Sequence, residues 1–484
     1  MLHYQIINYS DDPYHAYIII KGDNSDELQK AVYAFASLNF PFPKTKSMKI
    51  DDVKISPQIP PSGKGVLLPG YEYSFKDVGF FTTNFKGVGA KSTSLDFKLP
   101  SYVFLKPNSF LSLKINFSYG SGMRKDSTLN IQINGKYVAS IHLDNIKGGL
   151  IRNYLIDVPL SLFKPGYNVI TFTSVLSPLI TGYCEFVQTE NLQLTIFEDS
   201  KISIPSTPSW TAMPDISLFF IDGFPFSKPS DFSNTGVLIT ENDSDTLSSA
   251  INLIALSAQK AGYIPFKIKI SYDKNKLTNK NIIIVGSFSK IPKEYLKGAG
   301  IQIQEGGSFV YYLVKHFEKG ESSLNVKLRS FIGNIFPILK SKSEFMYSKS
   351  QISFSGKEEG KWAVISELES PHKSRNTVLI VTASDTESLA RVVNSLWEPS
   401  VSGKAAGALT VFDPQSPGET ISSYYSDKVY YVGKIGFFSS LSVWIYAHPV
   451  IFTILIVIII LILAYFIYRA LKNFKRKRVG ESER

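Results

Sequence analysis

Cysteine is nearly absent from this sequence, since Cys184 is the only one among 484 residues. A single cysteine excludes an internal disulfide framework and a thiolate metal cluster, and its default interpretation is a buried apolar thiol. The six histidines are scattered and none has the spacing of metal ligands, so we predict no metal site. The fold must therefore be held together by its hydrophobic core.

Catalytic and nucleotide-binding motifs are lacking as well. The sequence has no G-x-x-x-x-G-K-[ST] loop, no G-x-G-x-x-G between a strand and a helix, and no G-x-S-x-G elbow. The pair Gly120 and Gly122 falls between predicted strands, which is typical of a loop. We therefore predict no catalytic residue and no cofactor from these motifs.

The positive charge is not evenly distributed, although the net charge of the chain is +11. Residues 469–484 hold seven Lys/Arg and two Glu, so this short tail contributes +5 of the total. The remaining body is only mildly basic, and no nucleic-acid partner is expected.

One long hydrophobic run stands near the C-terminus. Residues 450–468 read VIFTILIVIIILILAYFIY without a charge, which is long enough to cross a bilayer. We predict a transmembrane helix over 449–469. The basic tail at 470–484 is placed in the cytoplasm by the positive-inside rule, and the bulk of the chain outside it. A buried core helix is the less favoured alternative at this length.

An amphipathic segment precedes the span. Residues 435–448 read IGFFSSLSVWIYAH and form an apolar stripe on a helix, followed by Pro449. We predict an interfacial helix along the membrane rather than an extension of the spanning helix. Its expected membrane or partner contacts are Phe437, Phe438, Leu441, Trp444 and Ile445.

A strand, polar turn and helix recur at 16–35, 235–254 and 377–396. Such a turn could bind phosphate at the helix N-terminus, but these turns carry aspartate or glutamate. We therefore predict N-caps at Asn24, at Asp243 or Ser244, and at Asp385. The first residues contain no basic n-region and no apolar h-region. Residues 1–41 are accordingly expected to be the C-terminal remnant of an α/β domain, with the true N-terminus upstream.

The spacing of apolar residues differs along the rest of the chain and indicates its domains. Residues 42–64 are predicted to be a linker. Two-residue alternation over 65–205, with an Asn134-Gly135 hairpin turn, indicates an antiparallel β-sandwich. Residues 206–430 alternate strands with helices, as in an α/β domain on a mainly parallel sheet, and 217–226 is one of its strand candidates.

Aromatic side chains on the sandwich are the best candidates for ligand binding. Tyr119, Tyr137 and Tyr154 could stack on sugar rings, although a role in the core or on the ordinary surface is the commoner fate of such residues.

The sequence resembles the family of periplasmic accessory, or regulatory, subunits of bacterial cellulose synthase. The resemblance is carried by TGYCEFVQTENLQLTIFEDSKISIPSTPSW, which includes Cys184, and by PDISLFFIDGFPFS from Pro214. It also lies in the order sandwich, α/β domain, interfacial helix and single span. The resemblance implies a jelly-roll-like, carbohydrate-binding-like sandwich, a flavodoxin-like α/β domain, and residues 1–41 as the end of a first flavodoxin-like domain.

The resemblance also implies a function. Family members are non-catalytic accessory subunits in the inner membrane. They pack on the polytopic glycosyltransferase that polymerises UDP-glucose, and guide the nascent cellulose, a β-1,4-glucan, through the periplasm. Family descriptions add cyclic di-GMP binding, for which this sequence has no Arg-rich motif or phosphate cradle outside the membrane. A membrane-anchored glycan-binding or adhesion protein without a synthase partner is the main alternative, and a periplasmic glycan hydrolase is a third.

Overall fold

The structure is a computed structural model. It describes residues 2–9, 12–37, 47–50, 65–105, 109–179, 190–299, 301–303, 309–312, 351–354, 361–419, 421–426, 429–434 and 449–481. Cys184 and the predicted interfacial helix at 435–448, with its five apolar contacts, lie outside the described residues.

A small antiparallel sheet opens the chain. Its strands are β1 (Leu2–Tyr9), β2 (Asp12–Lys21) and β3 (Ser47–Ile50), in the order β2-β1-β3, and α1 (Ser25–Ser37) follows β2. The segment predicted to be a linker therefore contributes a strand that pairs with β1. The Tyr33 hydroxyl donates to the carbonyl of Phe266, 2.7 Å away, so α1 contacts the α/β region.

Two antiparallel sheets form the sandwich. One has the order β4-β13-β7-β12-β5 with β10 on the other side of β7, and the second has the order β6-β11-β8-β9. Short 3-10 helices lie at Lys76–Val78 and Leu160–Leu162. The strands are β4 (Glu72–Ser74), β5 (Thr83–Lys86), β6 (Gly89–Leu99), β7 (Phe110–Tyr119), β8 (Thr128–Ile133), β9 (Lys136–His142), β10 (Gly149–Pro159), β11 (Gly166–Leu176), β12 (Gln193–Ile196) and β13 (Lys201–Ser203).

Alternation of apolar side chains builds the core between these sheets. Leu113 and Ile115 of β7 face Ile170 and Phe172 of β11, and all four are fully buried. Each such burial contributes about 1.5–3 kcal/mol. The predicted hairpin is confirmed, because Asn134 and Gly135 join β8 to β9 with φ values of 49° and 78°. The predicted sandwich is thus present as two packed antiparallel sheets.

The α/β region is built on a seven-stranded sheet of order β16-β15-β17-β22-β21-β23-β24. The first four strands in this order are parallel and the last three are antiparallel to their neighbours. The strands from here onward are β14 (Trp210–Met213), β15 (Thr235–Ile239), β16 (Lys269–Ser271), β17 (Asn281–Ser287), β18 (Ile301–Ile303), β19 (Phe309–Tyr312), β20 (Gln351–Phe354), β21 (Ala363–Glu369), β22 (Thr377–Ala383), β23 (Leu409–Phe412), β24 (Ile421–Tyr424) and β25 (Tyr430–Gly433).

Helices cover this sheet, and β18, β19 and β20 form a separate small sheet. Short 3-10 helices lie at Lys274–Lys276 and Phe288–Lys290. The helices are α2 (Ile216–Asp222), α3 (Ser244–Ala261), α4 (Lys293–Gly298), α5 (Thr386–Ser395) and α6 (Pro399–Ser402).

The strand prediction for 217–226 is wrong, because α2 occupies the first part of this segment. Asp215 caps the helix by accepting from the Ser217 N–H, and Gly223 ends it with a φ of 73°. Ile216, Phe219 and Phe220 recur at i, i+3 and i+4 and are buried, which is the helical rather than the extended period.

The three repeated turns are N-caps, as predicted. The Asp243 carboxylate accepts from the Thr246 N–H at 2.9 Å, and the Asp385 carboxylate from the Ser388 N–H at 2.8 Å. The Asn24 side chain accepts from the Glu27 N–H at 2.9 Å. Of the two residues considered for the second turn, Asp243 is the cap.

The C-terminal helix α7 (Pro449–Glu481) contains the apolar run. Its segment Thr453–Lys472 has a mean hydropathy of 2.8 and is not buried against the rest of the chain. By length and composition this helix could cross a membrane.

A two-stranded ribbon ties the sandwich exit to the C-terminal end of the α/β region. Strand β14 leaves the sandwich and pairs antiparallel with β25, the last described strand before α7. The rings of Trp210 and Tyr431 stack across the ribbon with centroids 4.8 Å apart. The Tyr430 hydroxyl hydrogen-bonds with Thr377 Oγ1 at 2.9 Å and so joins the ribbon to β22.

Candidate functional site

Two of the three predicted glycan-contact residues lie at one end of the sandwich core. Tyr119 ends β7 and Tyr154 lies on the adjacent edge strand β10. Both rings contact the buried ring of Phe117, with centroid distances of 6.4 Å and 6.1 Å. The Tyr119 hydroxyl also accepts from the Asn145 N–H. These two rings therefore extend the core toward solvent.

The third predicted residue is on the opposite sheet. Tyr137 lies on the edge strand β9, and its side chain is 63% exposed. A second exposed tyrosine on that sheet, Tyr167 of β11, is 66% exposed. The ammonium of Lys98, its cross-strand neighbour, lies 4.5 Å from the centre of the Tyr167 ring. The structure thus separates Tyr137 from Tyr119 and Tyr154, and brings it onto the same sheet as Tyr167.

The outer faces of the two sheets differ in charge. On the larger sheet, Glu72 pairs with both Lys114 and Lys201, at 2.7 Å and 2.8 Å, and Arg152 pairs with Asp199 at 2.7 Å. Within the described residues, the ion pairs of the sandwich lie on that sheet and in loops rather than on the four-stranded sheet.

The outer face of the four-stranded sheet is mostly neutral and polar. Gln132 and Thr171 pair across β8 and β11 and point away from the buried residues on either side of them. Beside them, the Ser140 hydroxyl donates to the Asn130 side chain at 2.7 Å. This face offers side-chain hydroxyls and amides next to two exposed aromatic rings.

The junction between the sandwich and the α/β region is held by a carboxylate. Asp222, at the end of α2, accepts from the backbone N–H of Ser101 at 2.7 Å. The Lys228 ammonium lies nearby, 3.6 Å from the centre of the Tyr102 ring. Burial raises the pKa of Asp222, while Lys228 opposes that shift. The junction therefore uses specific polar contacts in addition to apolar packing.

A second carboxyl, Glu367 of β21, is almost fully buried. Its Oε2 accepts from the backbone N–H of Asp215 at 2.6 Å, whereas Oε1 has no hydrogen-bond partner among the described residues. Burial raises the pKa of Glu367 well above its ordinary value, and the Asp215 carboxyl adds to the effect. Burial in the folded protein thus favours the protonated form of Glu367 more than the unfolded chain does.

This shift predicts a specific pH dependence of stability. Because the folded pKa of Glu367 lies above the unfolded pKa, the free energy of unfolding should fall as pH rises above about 4.3 and level off past the folded pKa. The loss is about 1.4 kcal/mol per pH unit in that interval. Glu367→Gln mimics the protonated form and should remove this component.

Urea unfolding at several pH values, compared between the parent and Glu367→Gln, measures the effect. The matched control is Glu419→Gln at an exposed position, which should keep the parent's slope. Identical pH slopes for the parent and Glu367→Gln would contradict the assignment.

The helix N-termini are not suited to phosphate. The caps of α3 and α5 are aspartates, and α1 carries Asp26 and Glu27 in its first turn. These carboxylates would stand where an anion would bind. Among the described residues, no group of three or more His, Cys, Asp or Glu side chains could hold a metal ion.

Comparison with protein-family models identifies both folded regions. Residues 72–201 match "Cellulose synthase BcsB, second CBM domain", and residues 209–381 match "Cellulose synthase BcsB, second FD domain". The chain belongs to the cellulose synthase BcsB family. The BcsB matches fall on the sandwich and on most of the α/β region, in the order that the sequence resemblance implies.

Curated relatives cover most of this BcsB-family chain. The "Cyclic di-GMP-binding protein" of Escherichia coli (strain K12) is 21% identical over 98% of this chain and 61% of its own length. The protein of the same name from Pseudomonas fluorescens (strain SBW25) is 22% identical over 73% of this chain and 47% of its own length. "Cellulose synthase 1" of Komagataeibacter xylinus is 23% identical over 86% of this chain and 27% of its own length.

The chain thus spans between about half and three fifths of the two cyclic di-GMP-binding relatives. A solved family 35 carbohydrate-binding module from an environmental isolate covers 30% of this chain, and the chain covers 89% of that module. Its TM-score is 0.15 and its sequence identity to this chain is 11%.

Sequence reasoning missed Tyr167 as a surface aromatic. The available signal was its place in β11, where Asn168, Ile170 and Phe172 alternate inward and so direct Tyr167 outward. Its relation to Tyr137 depends on the register of three strands, which the sequence does not contain.

Proposed function

We propose that this chain acts as a non-catalytic, membrane-anchored accessory subunit of a cellulose synthase. It supports the catalytic glycosyltransferase and guides the nascent β-1,4-glucan. The observation that carries the proposal is the pair of BcsB domain matches on one chain that also holds a helix able to cross a membrane. The cellulose synthase named among its relatives is consistent with a catalytic partner.

The membrane arrangement is part of the proposal. The bulk of the chain lies in the periplasm, α7 crosses the inner membrane once, and the basic end of α7 lies in the cytoplasm. The support is the cluster of Lys and Arg that follows the apolar run, as the positive-inside rule requires. The apolar residues of 435–448 then contact the membrane or the catalytic subunit.

We also propose a specific fold for each region of the chain. The α/β region is assigned as flavodoxin-like, supported by the order β16-β15-β17-β22 of its parallel strands. The sandwich is assigned as a jelly-roll-like carbohydrate-binding domain. Residues 1–41 are assigned to a first flavodoxin-like domain, supported by a β2–α1 unit that resembles the β22–α5 unit.

The two relatives from Pseudomonas fluorescens and Escherichia coli are named as cyclic di-GMP-binding proteins. The helix N-termini of the described α/β region carry aspartates, which disfavour a phosphate ligand there. These turns are therefore not assigned as a cyclic di-GMP site.

Co-purification tests the anchor. A tagged catalytic cellulose synthase subunit from the same organism should retain the full chain in mild detergent. A variant ending at Lys434 should be lost, because it lacks α7 and the segment before it. A variant carrying a non-native single-pass helix in place of 449–469 controls for membrane tethering alone and should be retained poorly. Retention of the Lys434-terminated variant at the parent level would contradict the proposed role of the anchor.

A further inference from the structure

We propose that the outer face of the four-stranded sheet is the glucan-binding surface of this chain, with Tyr137 and Tyr167 as its two stacking platforms. The inference rests on the proposed function and deepens it by choosing one face of the sandwich. It sets aside the end of the core formed by Tyr119 and Tyr154. The name "tyrosine face" is used below for Tyr137, Tyr167 and the outward-facing polar side chains on the rows near them, Gln132, Thr171, Asn130 and Ser140.

Strand register puts both tyrosines on the same side of the sheet. Tyr137 pairs with Gln132, and Gln132 pairs with Thr171. Tyr167 lies four residues from Thr171 on β11, an even number, and so faces the same way. The residues that flank this row, Ile131 and Ile170 among them, are buried in the core.

The same register gives the separation of the two platforms. Tyr137 and Tyr167 are two strand spacings apart across the sheet, about 10 Å, and about 13 Å apart along it. Their Cα atoms are thus about 16 Å apart on the diagonal. A linear sugar chain several rings long could contact both tyrosines at once, whereas a monosaccharide could contact only one.

The groups near the platforms suit a neutral hydroxylated ligand. Gln132 and Thr171 stand on the same row as Tyr137 and can exchange hydrogen bonds with sugar hydroxyls, and Val169 lies between Thr171 and Tyr167 on β11. The Lys98 ammonium, 4.5 Å from the Tyr167 ring centre, restricts that ring and lowers the cost of ordering it on binding.

Charge distinguishes this face from the opposite one. A neutral glucan lying on the larger sheet would desolvate the Glu72 and Asp199 ion pairs and supply no charge in return. The row Tyr137–Gln132–Thr171 carries no charge, and the charged side chains Asp96 and Lys98 on this face lie on the edge strand β6. The occupant proposed is therefore an uncharged β-linked glucan, which agrees with the carbohydrate-binding description of the family model that covers these strands.

Isothermal titration calorimetry tests this assignment. The full chain in detergent is titrated with cellohexaose, and the binding affinity is measured. We expect the parent to bind, and Tyr137→Ala and Tyr167→Ala each to weaken the affinity about fivefold, which is typical of losing one aromatic contact. Tyr137→Phe should bind like the parent because it keeps the stacking ring. Far-ultraviolet circular dichroism confirms that each variant is folded.

Tyr71→Ala is the matched control, since Tyr71 is also 63% exposed but precedes β4 of the other sheet. It should leave the affinity unchanged. Failure of the parent to bind, parent-like binding by both alanine variants, or a loss confined to Tyr154→Ala would overturn the tyrosine face.

Co-purification of the same chain with the catalytic subunit is scored in parallel. If the parent chain binds cellohexaose but does not co-purify with the catalytic subunit, the proposed function is contradicted and the tyrosine face is not.

Discussion

Replacing Gly433 with alanine is expected to lower the free energy of unfolding by about 3 kcal/mol or more. Gly433 ends β25 with a φ of 118°, a conformation that residues with a side chain rarely adopt. A Cβ atom added there would lie 2.0 Å from the carbonyl oxygen of Ser209. That oxygen accepts from the Lys434 N–H at 2.9 Å, so the ribbon must open to make room.

Opening the ribbon should do more than destabilise the fold. Strand β14 connects the sandwich to the α/β region, and β25 leads toward α7, so both meet where Gly433 pairs with Trp210. We therefore expect Gly433→Ala to expose backbone amides of 210–213 and 430–433 to hydrogen exchange. Urea unfolding and hydrogen exchange with mass spectrometry measure the two effects.

Gly79→Ala separates backbone strain from steric conflict. Gly79 has a φ of 95°, but a Cβ added there meets no heavy atom within 4 Å. This control should cost only about 1–2 kcal/mol, the strain of a positive φ. Equal losses for Gly433→Ala and Gly79→Ala would show that the close approach of Ser209 is unimportant.

Local features of the fold could be predicted from the sequence. The Asn134-Gly135 turn needs positive φ at both positions, and the aspartate caps need only a neighbouring backbone N–H. Both depend on residues that are adjacent in the chain. For the same reason the alternation of β7 was sufficient to predict its buried face.

The wrong strand prediction at 217–226 arose because composition was weighed without the helix-capping residues. The run of apolar residues after Asp215 fits a buried strand and a buried helix equally well by composition. The Asp215 cap and the Gly223 terminus decide for the helix, and they were present in the sequence.

Features that join distant segments could not be predicted. The ribbon pairs residues near 210 with residues near 430, and neither strand carries a signal for its partner. The buried Glu367 looks like an ordinary charged residue until the N-terminus of α2 is packed against β21. Likewise, Tyr137 was predicted as a single candidate, and its relation to Tyr167 follows only from the pairing of β9, β8 and β11.

These junctions bear on how an accessory subunit of this kind would work. The Asp222–Ser101 contact and the ribbon hold the sandwich against the α/β region at two separate points. A sheet face that binds glucan would then keep a fixed orientation relative to the α/β region. In the proposed role, such an arrangement would hold and direct a product made by the catalytic subunit, which requires no catalytic group in this chain.

Incorporation of radiolabelled UDP-glucose into insoluble glucan tests the central proposal most directly. Membranes that contain the catalytic subunit from the same organism are assayed with and without this chain, at equal amounts of catalytic subunit. We predict strong incorporation with the chain, and incorporation at background level both without it and with the variant ending at Lys434. Equal incorporation in the presence and absence of the chain would contradict its assignment as an accessory subunit of cellulose synthase.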